Sequence, residues 1–346
     1  MFSLRYVHRT ALALAVATMT VPAVIAPATA ADEVNVYSYR QPSLIQPLFE
    51  AFTGATGVKV NLVSADKGLI ERLQQEGANS PADLLFTVDI GRLNDARLAG
   101  VTQAVKTDAL IEGIASQFHD PDGHWYGLTL RARLAYVSKD RVAAADAPKT
   151  YEELADPKWR GRICTRSGSH DYQVALTAAY IAHHGEAGAE TWLRGVKANL
   201  ARKPQGNDRA QVKTIKEGVC DIALGNSYYY GLMLDNPDQK AWAEAVTPVF
   251  LTFEGQGTHV NLSGVSLTRA APNRANAIRL MEYLISDEAQ KLYAALNYEY
   301  PIISGVDRAP FLVAMGDLRA DELPLARVAE HRAEALKLID KVAYND

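Results

Sequence analysis

Residues 34–63, VNVYSYRQPSLIQPLFEAFTGATGVKVNLV, decide the fold class. Residues 34–39 are rich in β-branched and aromatic side chains and predict a strand. Residues 43–55 have the spacing of an amphipathic helix, which Gly57 ends, and residues 58–63 predict a second strand. A strand, a helix and a strand in this order predict two parallel strands with the helix packed on one face.

The same alternation continues along most of the chain. It predicts strands at 83–88, 161–165 and 220–224, and helices at 67–76, 90–98, 173–184, 189–198, 210–217, 275–286, 288–296 and 325–342. Such alternation predicts an α/β fold with a mostly parallel sheet covered on both faces. Because no flexible linker separates the halves, we expect two lobes joined by crossing strands, with a ligand cleft between them.

The first 30 residues predict a secretory signal peptide. Arg5 and Arg9 precede an apolar stretch at 11–25, and Ala28-Thr29-Ala30 is an A-x-A cleavage site. The apolar stretch is too short and too rich in alanine for a membrane span. We therefore expect cleavage after Ala30 and a free protein in a Gram-negative periplasm.

The charge balance argues against nucleic acid and anionic membranes as partners. Residues 1–30 hold two of the 36 basic residues and none of the 40 acidic ones, so 34 − 40 gives a mature net charge of −6. No later apolar stretch is long enough to cross a bilayer. We expect a monomer that is not embedded in the membrane.

The two cysteines, Cys164 and Cys220, both lie in the exported part. An isolated pair in an oxidising compartment predicts a structural disulfide, and the wide spacing matches no zinc site. Cys164 lies eight residues before Tyr172, and Cys220 lies eight before Tyr228. If the two strands are neighbours, one bridge pins together the segments that present these tyrosines.

A run of three tyrosines stands in Gly225-Asn-Ser-Tyr-Tyr-Tyr-Gly231. Phenolate oxygen is a hard anionic ligand that suits a hard, highly charged cation such as ferric iron. Consecutive side chains diverge on helices and strands, so at most two neighbours could converge on one ion, at a strand-to-helix turn. The competing interpretation is ordinary tyrosines of a buried core.

Further segments show a resemblance that covers almost the whole mature chain. They are Val34-Asn-Val-Tyr-Ser-Tyr-Arg40, Asn79-Ser-Pro-Ala-Asp83, Thr87-Val-Asp89, Trp125-Tyr-Gly127, Arg131-Ala-Arg133, Tyr151-Glu-Glu-Leu-Ala-Asp-Pro-Lys158, Pro204-Gln-Gly-Asn-Asp208, Thr258-His-Val-Asn261 and Tyr298-Glu-Tyr-Pro301. In these segments the chain resembles periplasmic ferric-iron-binding proteins, the substrate-binding components of iron ABC transporters. The resemblance implies a bilobal type II periplasmic-binding fold, with Tyr172, Tyr228 and Tyr229 as iron ligands. It also implies delivery to an inner-membrane ABC permease and its ATPase.

With that fold we expect residues 31–130 and 257–306 in the first lobe, and 131–256 and 307–346 in the second. The chain departs from one branch of the family, in which His-Tyr follows the arginine that matches Arg40. Gln41 and Pro42 stand there instead. In a related branch with this same Tyr-Ser-Tyr-Arg-Gln-Pro sequence, a carbonate-like anion held by arginine completes the site. We therefore expect Arg40 to bind the anion.

Arg131 is a second candidate for the anion and Arg133 a weaker one, with pairing to an acidic residue as the alternative for both. Tyr39 is expected to be an ordinary strand residue, and His259 a structural one. With few ligands from the first lobe, lobe closure would be weakly coupled to iron loading.

Two other functions remain open. The same fold could bind an organic or anionic solute, with the tyrosines stacking on it and the arginines pairing with its charge. An enzyme is disfavoured because no nucleophile–base pair can be placed: Ser169-His170-Asp171 are sequence neighbours, whereas the members of a triad meet in space. His183, His184 and Glu186 predict a solvated helix end rather than a metal site.

Overall fold

The computed structural model describes residues 32–307 and 309–346, so the predicted signal peptide lies outside the described residues. The strands are β1 (Glu33–Ser38), β2 (Lys59–Ser64), β3 (Leu84–Thr87), β4 (Tyr126–Ser138), β5 (Ile163–Cys164), β6 (Ile222–Asn226), β7 (Val246–Val249), β8 (Val260–Leu267) and β9 (Tyr300–Pro301). The α-helices are α1 (Pro42–Thr56), α2 (Leu69–Glu76), α3 (Ile90–Leu98), α4 (Asp108–Gly113), α5 (Asp171–Ala198), α6 (Asp208–Lys216), α7 (Tyr228–Asp235), α8 (Lys240–Glu244), α9 (Arg274–Leu284), α10 (Asp287–Asn297), α11 (Pro310–Ala314), α12 (Leu325–Glu330) and α13 (Arg332–Lys341).

The opening β-α-β unit is confirmed. Strand β1 pairs in parallel with β2 on one side and β3 on the other. Helix α1 starts at Pro42, which needs no N–H partner there, and ends at Gly57 in the left-handed conformation, φ 75°. Ile45, Leu48 and Phe49 on its inner face are fully buried. The apolar spacing of this helix therefore fixes which face covers the sheet.

The sheet is mixed, so the prediction of a mostly parallel sheet is wrong. The β5–β6 pair is also parallel, but β8 runs antiparallel to β3, and β4 runs antiparallel to β6, β7, β8 and β9. The order of the main path is β2-β1-β3-β8-β4-β6-β5. The antiparallel strands β4 and β8 lie in the centre, because they carry the chain from one half of the molecule to the other and back.

Strand β4 joins the two halves of the sheet. Its residues 126–132 pair with β8, whereas residues 133–138 pair with β6 and β7. At the change of partner, the Arg133 N–H donates to the carbonyl of His259, just before β8 begins. The expected lobe boundaries at 130/131 and 256/257 fall beside these crossings, and we propose them as the division into first and second lobes.

Two helical predictions are corrected by local backbone breaks. Residues 173–184 and 189–198 belong to one segment, α5, interrupted by non-helical Gly185 at φ 71°. Residues 325–342 form two helices, α12 and α13, which meet at His331. Helix α13 packs along α5, and α12 contacts both α3 and α5. No helix within residues 32–307 and 309–346 is long and apolar enough to span a membrane.

Candidate metal and anion site

Tyr228 and Tyr229 are the first two residues of α7, and only Ser227 separates them from the end of strand β6. Ser227 fixes this turn against the crossing strand β4. Its backbone N–H donates to the carbonyl of Ala132 at 2.9 Å, and its Oγ accepts the Ala132 N–H at 3.2 Å. The rings of Tyr228 and Tyr229 lie 4.1 Å apart between centroids. The two phenols are thus neighbours at a strand-to-helix turn.

Tyr172 is the second residue of α5 and is buried. His170 caps this helix, with its Nδ1 accepting the Tyr172 N–H at 3.2 Å. The preceding loop is held by Asn345, whose Oδ1 accepts the N–H of Gly168 at 2.7 Å and the hydroxyl of Ser167 at 3.2 Å. Contacts far along the chain therefore position the segment that presents Tyr172.

Arg40 and Arg131 lie side by side, each only 2% exposed, and share one carboxylate. Arg40 Nη2 lies 2.9 Å from Glu299 Oε2, and Arg131 Nη1 lies 3.3 Å from Glu299 Oε1. Ser263 Oγ accepts from both guanidinium groups. No role was predicted for Glu299 from the sequence, although its segment, residues 298–301, contributed to the resemblance. The two arginines and one carboxylate carry a net charge of +1.

The tyrosines and the arginines meet at one cavity of about 400 Å³. The guanidinium of Arg131 lies 5.7 Å from the ring centroid of Tyr172, and that of Arg166 lies 5.1 Å from the same ring. The cavity is lined by Tyr39, Arg40, Gln41, Leu44, Asp66, Val88, Arg92, Arg131, Arg166, His170, Asp171, Tyr172, Asn207, Arg209, Tyr228, Tyr229, Leu232 and Glu299. Five arginines against three carboxylates make this lining positive, which suits an anion or a set of anionic ligands.

Arg133 does not line the cavity. It is buried, and its Nη1 lies 2.7 Å from Asp208 Oδ2 and donates to Asn226 Oδ1 at 3.2 Å. Asp208 also pairs with Arg166 and accepts the N–H of Asn226, the last residue of β6. For Arg133 the structure therefore favours the alternative, pairing with an acidic residue beneath the turn that carries Tyr228.

Burial dominates the electrostatics of the phenols. It raises the pKa of Tyr228 well above its usual value, and the neighbouring Tyr172 and Tyr229 raise it further. Burial followed by the neighbouring Tyr172 also raises the pKa of Tyr229. At neutral pH both side chains are thus protonated in the metal-free protein. A cation must supply the free energy that removes these protons.

Tyr39 and His170 also line the cavity, and both form hydrogen bonds to the backbone at the start of a helix. The hydroxyl oxygen of Tyr39 accepts the N–H groups of Leu69 and Ile70 at 2.9 and 3.0 Å, at the start of α2. Burial, then the charge of Arg166, lowers the pKa of His170 to about 4, so its imidazole is neutral at pH 7. Tyr39 thus completes the N-terminus of a helix whose cap residue, Gly68, offers no side chain.

The histidine pair on α5 is divided between two partners. His183 Nε2 lies 2.6 Å from Asp321, and His184 Nε2 lies 2.7 Å from Glu152. His259 is buried, and burial lowers its pKa to about 3. Across the described part of the chain, no group of three or more histidine, cysteine or acidic side chains could hold a metal ion.

The disulfide between Cys164 and Cys220 is confirmed, with Cα atoms 5.9 Å apart. Cys164 is the last residue of β5 and Cys220 lies two residues before β6. The two strands are parallel neighbours in the sheet. Both sulfur-bearing residues are buried. The bridge therefore lies beneath the two segments that lead to Tyr172 and Tyr228.

Two α/β lobes joined by crossing strands, with a positive cavity lined by tyrosines and arginines, define a solute-binding protein of the type II periplasmic-binding class. A family model described as bacterial extracellular solute-binding protein matches residues 62–314, and the chain belongs to that family.

Relatives with solved structures confirm the bilobal fold. The apo ferric ion-binding protein A of Pasteurella haemolytica is 49% identical with a TM-score of 0.87, over 91% of this chain and 99% of that one. A Trichodesmium protein solved with iron and citrate is 41% identical with a TM-score of 0.86, over 90% and 99%. Iron uptake protein A2 of Synechocystis is 45% identical over 90% of each chain. These relatives are binding proteins rather than enzymes, and so is this chain.

Proposed function

We propose that this protein binds ferric iron in the periplasm through the phenolate oxygens of Tyr172, Tyr228 and Tyr229. A carbonate-like anion held by Arg40 and Arg131 completes the coordination. The loaded protein, a monomer, delivers iron to an inner-membrane ABC permease and its ATPase, which contact the lobes beside the cleft. The signal peptide would direct export and be cleaved after Ala30. The kinship with iron uptake and ferric-binding proteins supports this proposal.

The observation that carries the proposal is the convergence of three tyrosines on one cavity opposite two arginines. Three phenolates neutralise Fe³⁺ but do not saturate an octahedral ion, so a further anionic ligand is needed. The Nε atoms of Arg40 and Arg131 are buried and have no hydrogen-bond partner in the described structure. Both side chains also line the cavity, where a planar guanidinium matches an oxyanion in bidentate fashion.

The donor set also accounts for selectivity. Hard anionic oxygen favours Fe³⁺, whereas zinc and copper sites use thiolate or imidazole. Among the described residues no cysteine lines the cavity, and its one histidine, His170, caps helix α5. Because the phenols are protonated without metal, iron binding releases protons. Acid should therefore release iron.

An organic or anionic solute is the second candidate. It is favoured by the size of the cavity, about 400 Å³, which falls within the range of about 300–1,000 Å³ for small-molecule sites. The Trichodesmium relative, solved with iron and citrate, shows that a polycarboxylate accompanies iron in one such protein. A carboxylate chelate of iron would combine both candidates.

The test is a visible absorption titration of the mature, metal-stripped protein with ferric iron, alone, with bicarbonate and with citrate. A tyrosinate–iron charge-transfer band that saturates at one equivalent is expected for the wild type and should be lost in Tyr229→Phe. Tyr230→Phe is the matched control, because this third tyrosine packs towards Tyr136 and Phe311 and does not line the cavity. Absence of a band under all three conditions would refute iron binding and favour the organic solute.

A further inference from the structure

Tyr298 and Glu299 follow helix α10 and reach in opposite directions. Tyr298 caps the helix in the left-handed conformation, φ 56° and ψ 27°, which is uncommon for a residue with a side chain. This turn sends the carboxylate of Glu299 to Arg40 and Arg131, and the ring of Tyr298 to helix α7. Two adjacent residues thus contact the arginines and the helix that begins with Tyr228.

The contact of Tyr298 with α7 has two parts. Its hydroxyl donates to Oδ2 of Asp235, the last residue of that helix. Its ring lies directly over Gly231, where a Cβ atom would overlap the ring. Under the proposed lobe division, Tyr298 belongs to the first lobe and α7 to the second. The contact therefore crosses between the lobes one turn below the tyrosines.

The contact of Glu299 with the arginines leaves little freedom. Oε1 and Oε2 each face one guanidinium, and Oε2 also accepts the hydroxyl of Thr129 at 2.7 Å. The carboxylate is only 1% exposed. A shift of the two arginines would therefore act on the side chain of Glu299, whose backbone adjoins Tyr298.

We propose that Glu299 and Tyr298 are positioning residues that couple anion binding at Arg40 and Arg131 to iron binding at the tyrosine helix. This inference rests on the proposed function. An anion that engages the two arginines sets the position of Glu299, and Tyr298 transmits that position to α7. This route adds to the direct bond between anion and iron that the proposed function requires. By thermodynamic reciprocity, iron bound at α7 raises the affinity of the arginines for the anion by the same factor.

The test measures that factor directly. Apparent ferric-iron affinity is determined by competition with a chelator, without bicarbonate and at saturating bicarbonate, and the ratio of the two affinities is the coupling factor. We expect about tenfold or more for the wild type, within the usual range of coupling between sites. Tyr298→Phe and Asp235→Asn should each lower the factor at least about threefold, and the double variant should lower it no further.

Three variants complete the design. Asp238→Asn is the matched control, since this exposed residue lies just beyond α7 and its backbone N–H donates to Asn236, whereas Tyr298 bonds to Asp235. This variant should leave the factor unchanged. Glu299→Gln should lower the factor at least as far as Tyr298→Phe does, but not to one, because under the proposed function the anion also coordinates the iron directly. Because Glu299 is buried and this variant could fail to fold, the decision rests on the partly exposed Tyr298 and the exposed Asp235. Gly231→Ala should mimic Tyr298→Phe by displacing the ring.

Each outcome decides. Loss of coupling in both Tyr298→Phe and Asp235→Asn, with the band intensity at saturating iron unchanged, supports the inference, because simple destabilisation would not alter a ratio of affinities. An unchanged factor in both variants overturns it, and so does a wild type that binds iron equally well with and without bicarbonate. A wild type without any ferric band refutes the proposed function itself, and the inference with it.

Discussion

Removing the bridge between Cys164 and Cys220 should destabilise the protein strongly while leaving the site intact once folded. The bridge closes a loop between two cysteines that are 56 residues apart in sequence. In the chain-entropy account, a loop of this length is worth about 4 kcal/mol at 25 °C. The site should survive because β5 and β6 remain registered by backbone pairing, Ile163 opposite Ile222 and Cys164 opposite Ala223.

The assay is urea unfolding, followed by tryptophan fluorescence, of the wild type and of the Cys164→Ala/Cys220→Ala variant. Iron titration of the folded variant should give an affinity within about threefold of the wild type, or about 0.7 kcal/mol. As a control, reductant added to the folded wild type should have little effect, because both cysteines are buried. A loss of stability below about 1 kcal/mol would refute the loop-closure reasoning. A folded variant that no longer binds iron would show that the bridge itself positions the tyrosines.

Three further predictions concern buried charge. Burial lowers the pKa of His259 from 6.5 to about 3, so between these pH values the unfolded chain binds one proton more than the folded protein. The free energy of unfolding should therefore fall as the pH drops through this range, and it should fall less steeply in His259→Gln. An equal dependence of the unfolding free energy on pH in both proteins would show that His259 is not the group responsible. Asp208→Asn leaves the buried Arg133 without its carboxylate partner and should lower the free energy of unfolding by about 3–5 kcal/mol, measured in urea. A decrease below about 1 kcal/mol would show that the ion pair contributes little to stability. Arg131→Lys keeps the charge but loses the planar fork, so the bicarbonate concentration that half-restores the ferric band should rise about tenfold or more; an unchanged concentration would exclude Arg131 as an anion ligand.

The fold could be predicted where local pattern and burial agree. Helix α3 was predicted with its observed bounds, and α1 with an error of one residue at each end, because each has an apolar face and a clear end. Strands β4 and β8 were not predicted. Both are buried along their whole length, so they lack the alternation that marks a half-buried strand. Their antiparallel pairing depends on the crossing between lobes, which no local pattern records.

The sequence pointed to the tyrosines and arginines that line the cavity but not to their charge partners. The position of Tyr228 and Tyr229 after a strand follows from sequence, since the strand and the turn are local. The pairing of Arg40 with Glu299 joins residues 259 apart in sequence. Both arginines stand out in the sequence, but a free guanidinium cannot be distinguished there from one that already has a carboxylate partner. The sequence held one hint of a buried charge partner: Glu299 directly precedes strand β9 and stands between two aromatic residues.

The charge partners decide which anion the proposed site would favour. Arg40 and Arg131 with Glu299 carry +1, and Arg133 and Arg166 with Asp208 carry another +1, on the two sides of the tyrosines. Under the proposed function, Fe³⁺ and three phenolates add nothing to this sum. A dianion such as carbonate brings the assembly to zero, whereas a monoanion leaves an uncompensated positive charge among buried groups, which is costly. At equal size a dianion should therefore support iron binding better than a monoanion, and the carboxylates of Glu299 and Asp208 set that preference as much as the arginines do.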